Sequence, residues 1–120
     1  MKIVNLTAHP VIVLHGSEVC ARWEASGVVA RLVEVTSAGE MLTTTQGQVP
    51  VTRLTYSDAV EGLPDACPGT AYLVSRVLAA ARPRPDVFFP WGEVRDTDGQ
   101  IIGCRALGQF ETTEGDVSAE

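Results

Sequence analysis

The sequence predicts an α+β fold: a small, mainly antiparallel β domain with one short helix. Three observations lead there. Short β-branched runs bounded by turn residues recur along the chain. Asp98-Gly99, set between GEVRD and QIIGCRAL, is a hairpin signal. Only RVLAAAR (76–82) has the Ala/Leu/Arg bias of a helix. A count of about seven strands to one helix excludes a continuous α/β alternation.

Residues 2–8 and 11–14 read as two strands, with Pro10 bending the chain between them or marking an edge. In an extended NLTAH, Val4, Leu6 and Ala8 face one way and Asn5, Thr7 and His9 the other. An amide, a hydroxyl and an imidazole then stand in one row, either a solvated edge or a polar surface aimed at a ligand. His15-Gly16 reads as a turn, and SEVCARWEASG (17–27) has no clear period. VVARLVEV (28–35) is a strand whose Val29, Arg31, Val33 and Val35 share a face. Turns flank a weak strand at 41–45. VPVTRLTY (49–56) is extended, with Arg53 following Val49 and Val51 on one face, and Pro50 fits only near its start or on an edge. Residues 57–69 form a polar connection. TAYLV is a short strand, Ser75 stands where an N-cap belongs, and Pro83 ends the helix. DVFFP is extended, and GEVRD and QIIGCRAL form the final hairpin.

A chain of 120 residues fits one domain, assigned to 1–110, with an acidic tail at 111–120 expected to be disordered. The net charge of −6 opposes non-specific binding to DNA or RNA, which requires Lys and Arg to displace counterions. Glu111, Glu114, Asp116 and Glu120 supply most of that charge, so a basic pocket remains compatible with the rest. No apolar run reaches the roughly 20 residues of a membrane span, and Asn5 interrupts the first apolar stretch, so a cytoplasmic protein is expected. Cys20, Cys67 and Cys104 lack C-x-x-C spacing; Cys104, in an apolar strand, reads as a small core residue.

No catalytic or nucleotide-loop motif is present, and no cofactor is expected. His9 and His15 lack a carboxylate at metal-ligand spacing, and Asp96 and Asp98 fit ordinary turn chemistry. The anion-binding signals are stronger. Arg31, Arg53 and Arg105 each sit in an otherwise apolar strand, and guanidinium forks suit phosphate. Gly103 marks close approach of a ligand or another backbone. Ser75 and Arg76 stand at a helix N-terminus, where free N–H groups favour an anion. Phe88, Phe89 and Trp91 cluster around Pro90, and Tyr72 leads into Ser75. One of the phenylalanines is expected in the core, and an aromatic left over beside the arginines offers a platform for a base.

Four pieces together resemble a family of phage and prophage proteins: NLT-x-H (Asn5–His9), SG-x-x-AR (Ser26–Arg31), GLP-x-x-x-PGT-x-Y-x-VS (Gly62–Ser75) and RD-x-x-G-x-I-x-GCRAL (Arg95–Leu107). The chain is similar to Thoeris anti-defence sponges, which sequester cyclic ADP-ribose-type immune signals and, in some members, cyclic oligonucleotides. Ala8 stands where the family's opening has proline. The resemblance implies a small homo-oligomer in the host cytoplasm, nucleotide pockets near subunit boundaries, and no catalysis. No site residue is carried over from the family.

The expected function is therefore non-enzymatic sequestration of a small phosphorylated nucleotide. Arg31, Arg53 and Arg105 would hold phosphates, with Ser75 and Arg76 as auxiliary groups. Tyr72 or Phe88 would pack a base, and Asn5, Thr7 and His9 would contact ribose or adenine. Two alternatives remain: an inhibitor module that covers a host protein with its edge strands, and a small nucleotide hydrolase or lyase with His9 as general base.

Overall fold

The structure, a computed structural model, describes residues 1–112; the tail assigned to 111–120 falls almost entirely outside them. In chain order the elements are β1 (Lys2–Asn5), β2 (Val11–His15), β3 (Glu18–Trp23), β4 (Arg31–Ala38), β5 (Leu42–Thr44), β6 (Gly47–Val49), β7 (Thr52–Glu61), β8 (Thr70–Leu73), α1 (Arg76–Ala81), β9 (Val87–Arg95) and β10 (Ile101–Gly108). They fall into two compact units, one made of Met1–Arg31 with the chain from Gly62 onward, the other of Leu32–Glu61.

The first unit is a six-stranded sheet in the order β1-β8-β9-β10-β2-β3. Its ends meet: Asn5 at the end of β1 bridges Ala25 just past β3, and Ser26 N–H donates to the Asn5 carbonyl at 3.0 Å. The result is a nearly closed, mainly antiparallel barrel with one short helix. The long ladders, β9–β10 and β2–β3, are antiparallel. The pairs β1–β8, β8–β9 and β10–β2 are parallel and shorter, the last resting on the single register Cys104↔Val13. Parallel neighbours need a crossover of a dozen or so residues. The stretch 74–86 supplies one between β8 and β9.

That crossover contains the helix. The Ser75 hydroxyl accepts from Leu78 N–H at 3.3 Å, an N-cap bond, and Pro83 stands just past the end. Leu78 and Ala79 are buried, so the six-residue helix is held by packing rather than by propensity. Val11, Leu73 and Cys104 form a core cluster, with Ile3, Val13, Trp23, Phe88 and Leu107 packed against it. Cys104 donates to the Ile12 carbonyl, and burial pushes its thiol pKa up, as suits a core residue.

Just before β9, Asp86 accepts two hydrogen bonds from Arg84, at 2.8 and 2.6 Å, while Arg84 also donates to the Pro64 carbonyl. The Arg84 bonds hold the Asp86 carboxyl below its usual range. A depressed folded pKa stabilises the fold above the unfolded pKa and loses that effect as pH falls through the folded value. Asp86→Asn should therefore lower Tm at pH 7, with the gap from wild type closing at a pH below about 3.8. A gap that persists unchanged at pH 2 would assign the loss to something other than the ion pair.

Several elements differ from their sequence-based expectation: β4 covers Arg31–Ala38 rather than 28–35, and β7 covers Thr52–Glu61 rather than 49–56, taking in the start of the stretch read as a polar connection. The first strand stops at Asn5 instead of running to residue 8, because the Asn5 side chain turns the chain. DVFFP and GEVRD fuse into β9 across Pro90. The register with β8 ends at Phe88, so no strand on that side needs the N–H that Pro90 lacks. The final hairpin is as expected: Asp96 Oδ1 accepts from the N–H groups of Asp98 and Gln100, and Gly99 takes φ +82°.

The second unit contains two two-stranded sheets, β4–β7 and β5–β6. Leu32 is its one buried residue.

Candidate functional site

The polar row expected from NLTAH does not form. Asn5 is 1% exposed, and its amide is fully engaged inside the protein. Its Nδ2 donates to the carbonyls of His9 (2.8 Å) and Trp23 (3.0 Å), and its Oδ1 accepts from Thr7 N–H (2.9 Å) and the Thr7 hydroxyl (2.6 Å). Asn5 and Thr7 are thus a clasp joining the end of β1, the approach to β2 and the end of β3. His9, by contrast, is exposed.

Tyr72 is 5% exposed and in register with Val4 and Val87, which makes it a core side chain rather than a base platform. Phe88 is half-buried against the core cluster. Phe89, on the opposite face, is buried, stacks on Phe110 at 5.0 Å, and lies under the Arg76 guanidinium at 5.8 Å. Arg76 therefore has an aromatic partner of its own. The aromatic left over is Trp91, which is 52% exposed.

Trp91 lines a groove of about 510 Å³ with His9, Pro10, Pro90, Glu93, Ile101 and Ile102, and the backbone from Gly92 and from Gly103 to Cys104 also lines it. That volume lies within the range of small-molecule sites. Ile101 and Ile102 are 55% and 44% exposed although consecutive in a strand. A register shift between Ile101 and Gly103 explains this, since a bulge breaks alternation and re-aims side chains. Gly103 is required where it stands: a Cβ there would lie 2.7 Å from the Ile12 carbonyl oxygen, so the close approach is of another backbone. The sequence placed Trp91 in a cluster with the phenylalanines, but the rings expected to pack a base were Tyr72 and Phe88. It gave no sign of the two isoleucines as a surface, because the bulge depends on pairing with β9.

The arginines divide into two groups. Arg22, Arg84 and Arg95 pair with Glu24, Asp86 and Glu93, and Arg82 donates to the Ala81 carbonyl. Among the described residues Arg31, Arg53 and Arg105 make no hydrogen bond or ion pair, and all three are exposed. None of them lines the groove. Arg31 is the first residue of β4, Arg53 belongs to β7 in the second unit, and the Arg105 stem lies against Gly92 on β10. A single cradle of three arginines is therefore not among the features of the first unit. Ser75 is engaged as the helix cap.

Among the described residues no three His, Cys, Asp or Glu side chains are placed to hold a metal ion, and no helix is long and apolar enough to cross a membrane. Cys20, Cys67 and Cys104 are free thiols. Compared with known proteins, the chain matches no family model, no curated sequence and no solved structure.

Proposed function

We propose that this protein binds a small phosphorylated nucleotide without transforming it, as its resemblance to the anti-defence sponges implies, and that the Trp91 groove takes the ring. The supporting observation is the half-exposed indole in a groove of about 510 Å³ whose walls include Pro10, Pro90, Ile101 and Ile102, with His9 and Glu93 as its charged or polar members. Flat heteroaromatic rings stack on such a surface, and each base–aromatic contact contributes about 1–3 kcal/mol. Arg105, whose stem lies against Gly92 of the groove lining, is the group suited to the anionic part of the ligand, and Arg31 is another guanidinium of the first unit that pairs with no acid among the described residues.

The test is a titration with cyclic ADP-ribose isomers and cyclic dinucleotides followed by tryptophan fluorescence. Binding at the groove should quench Trp91 while leaving the half-buried Trp23 signal, and Trp91→Ala should weaken affinity roughly five- to hundredfold. Arg31→Ala and Arg105→Ala should each cost about 1.5–3 kcal/mol toward a phosphorylated ligand, the range for hydrogen bonds to charged groups. Ligand released by heat should be chemically intact. Multiple-turnover product would overturn sequestration in favour of His9 catalysis, and affinity unaltered in Trp91→Ala would remove the groove from the site.

A further inference from the structure

Leu32–Glu61 presents a different problem. A two-stranded ribbon is marginal in water, and this one has long strands: β4 has eight residues and β7 has ten. Val35, Leu54 and Tyr56 are each about half exposed. Among the described strands β7 pairs with β4 alone, so one of its edges has no ladder partner among the described residues. A long unpaired edge with apolar side chains and no proline or lysine is a template for another strand.

The sequence of β7, TRLTYSDAVE, indicates which strand fits. Two copies of a strand related by a dyad perpendicular to their sheet run antiparallel, and directly opposed residues share a face. That condition puts the dyad through a residue rather than between two. With the dyad at Ser57, Arg53 opposes Glu61, Leu54 opposes Val60, Thr55 opposes Ala59 and Tyr56 opposes Asp58, each pair occurring twice. Centred on Asp58, the same strand would set acid against acid; centred on Tyr56, it would set aliphatic Leu54 against Asp58 and leave Arg53 opposite Ala59 with no acid to meet. Arg53 makes no hydrogen bond or ion pair among the described residues, so the Glu61 of a second copy would be its first ionic partner.

We infer that β7 is a dimerisation strand: a second copy of this chain adds its β7 antiparallel across the open edge, with the dyad at Ser57, building a four-stranded sheet from two ribbons. The interface is isologous and closes on itself, so it ends at a dimer instead of propagating. It makes no use of the Trp91 groove, and it stands whether or not a nucleotide binds there.

Light scattering at micromolar concentration should return about twice the 12.8 kDa chain mass. Arg53→Glu sets like charges across the dyad twice and should raise the dimer dissociation constant at least tenfold, while the double exchange Arg53→Glu with Glu61→Arg should restore it. In a Cys20→Ser, Cys67→Ser background, Ser57→Cys should oxidise to a disulfide-linked dimer, because opposed Cα atoms in an antiparallel pair lie within disulfide reach. Thr55→Cys, offset from its own copy, should not. A monomer at micromolar concentration would overturn the inference. So would a dimer that tolerates Arg53→Glu or cross-links equally through residue 55, since its interface would lie elsewhere. The charge exchange and the cross-link give independent readings if one variant folds poorly.

Discussion

Asn5→Ala is expected to lower the stability of the folded chain by about 3–4 kcal/mol, because removing one amide leaves several backbone groups without their partner. The carbonyls of His9 and Trp23 lose a donor, and Thr7 N–H loses its acceptor. For a domain of this size Tm should fall by about 12–16 °C. Asn5→Asp should be at least as damaging, since a carboxylate accepts but cannot donate to the two carbonyls, and its charge would be buried. Circular dichroism melts at neutral pH decide the matter. A shift below about 4 °C, the effect of only ~1 kcal/mol, would mean that the clasp is no stronger than an ordinary exposed bond.

The same residue shows where the sequence was readable and where it was not. Apolar alternation placed most strands within a few residues, and the helix, its Ser75 cap and the Asp98-Gly99 hairpin followed from local chemistry. NLTAH also alternates, yet Asn5 turns the chain by bonding backbone groups as far away as Trp23, and nothing local reveals that partner. β3 lay inside the unassigned 17–27 because Val19 and Cys20 are exposed there, which blurs the period. The parallel pairs were invisible for a related reason: Lys2 meets Thr70 and Val13 meets Cys104 across most of the chain. For the candidate site, counting aromatics narrowed the choice to a few rings, but burial had to decide among them, and it selected Trp91 over Tyr72 and Phe88.

Gly103→Ala should be the second large effect, about 2–3 kcal/mol, from overpacking at a place where backbone, not a flexible side chain, stands in the way. The added methyl would meet the Ile12 carbonyl oxygen at 2.7 Å and Leu14 Cδ1 at 3.0 Å. Relief requires β10 to move away from β2, and the Cys104↔Val13 register is the one pairing between them. Urea unfolding should show a lower midpoint, and amide exchange at Val13 and Cys104 should accelerate more than exchange in the β9–β10 ladder. Uniform acceleration across both would show that the methyl acts through the whole fold instead of this seam.

The strand order has a consequence for the newborn chain. β2 and β3 can zip into a hairpin as soon as they emerge, but β1 must wait for β8 and β2 for β10. At roughly 5–20 residues per second, synthesis from β2 to β10 takes on the order of 5–20 s, during which those early edges have no native neighbour. The barrel therefore closes only near the end of translation, in a step set by long-range pairing and correspondingly slow. Nascent chains arrested before residue 101 should remain open to protease within β1, and chains long enough to expose β10 outside the ribosome should become resistant.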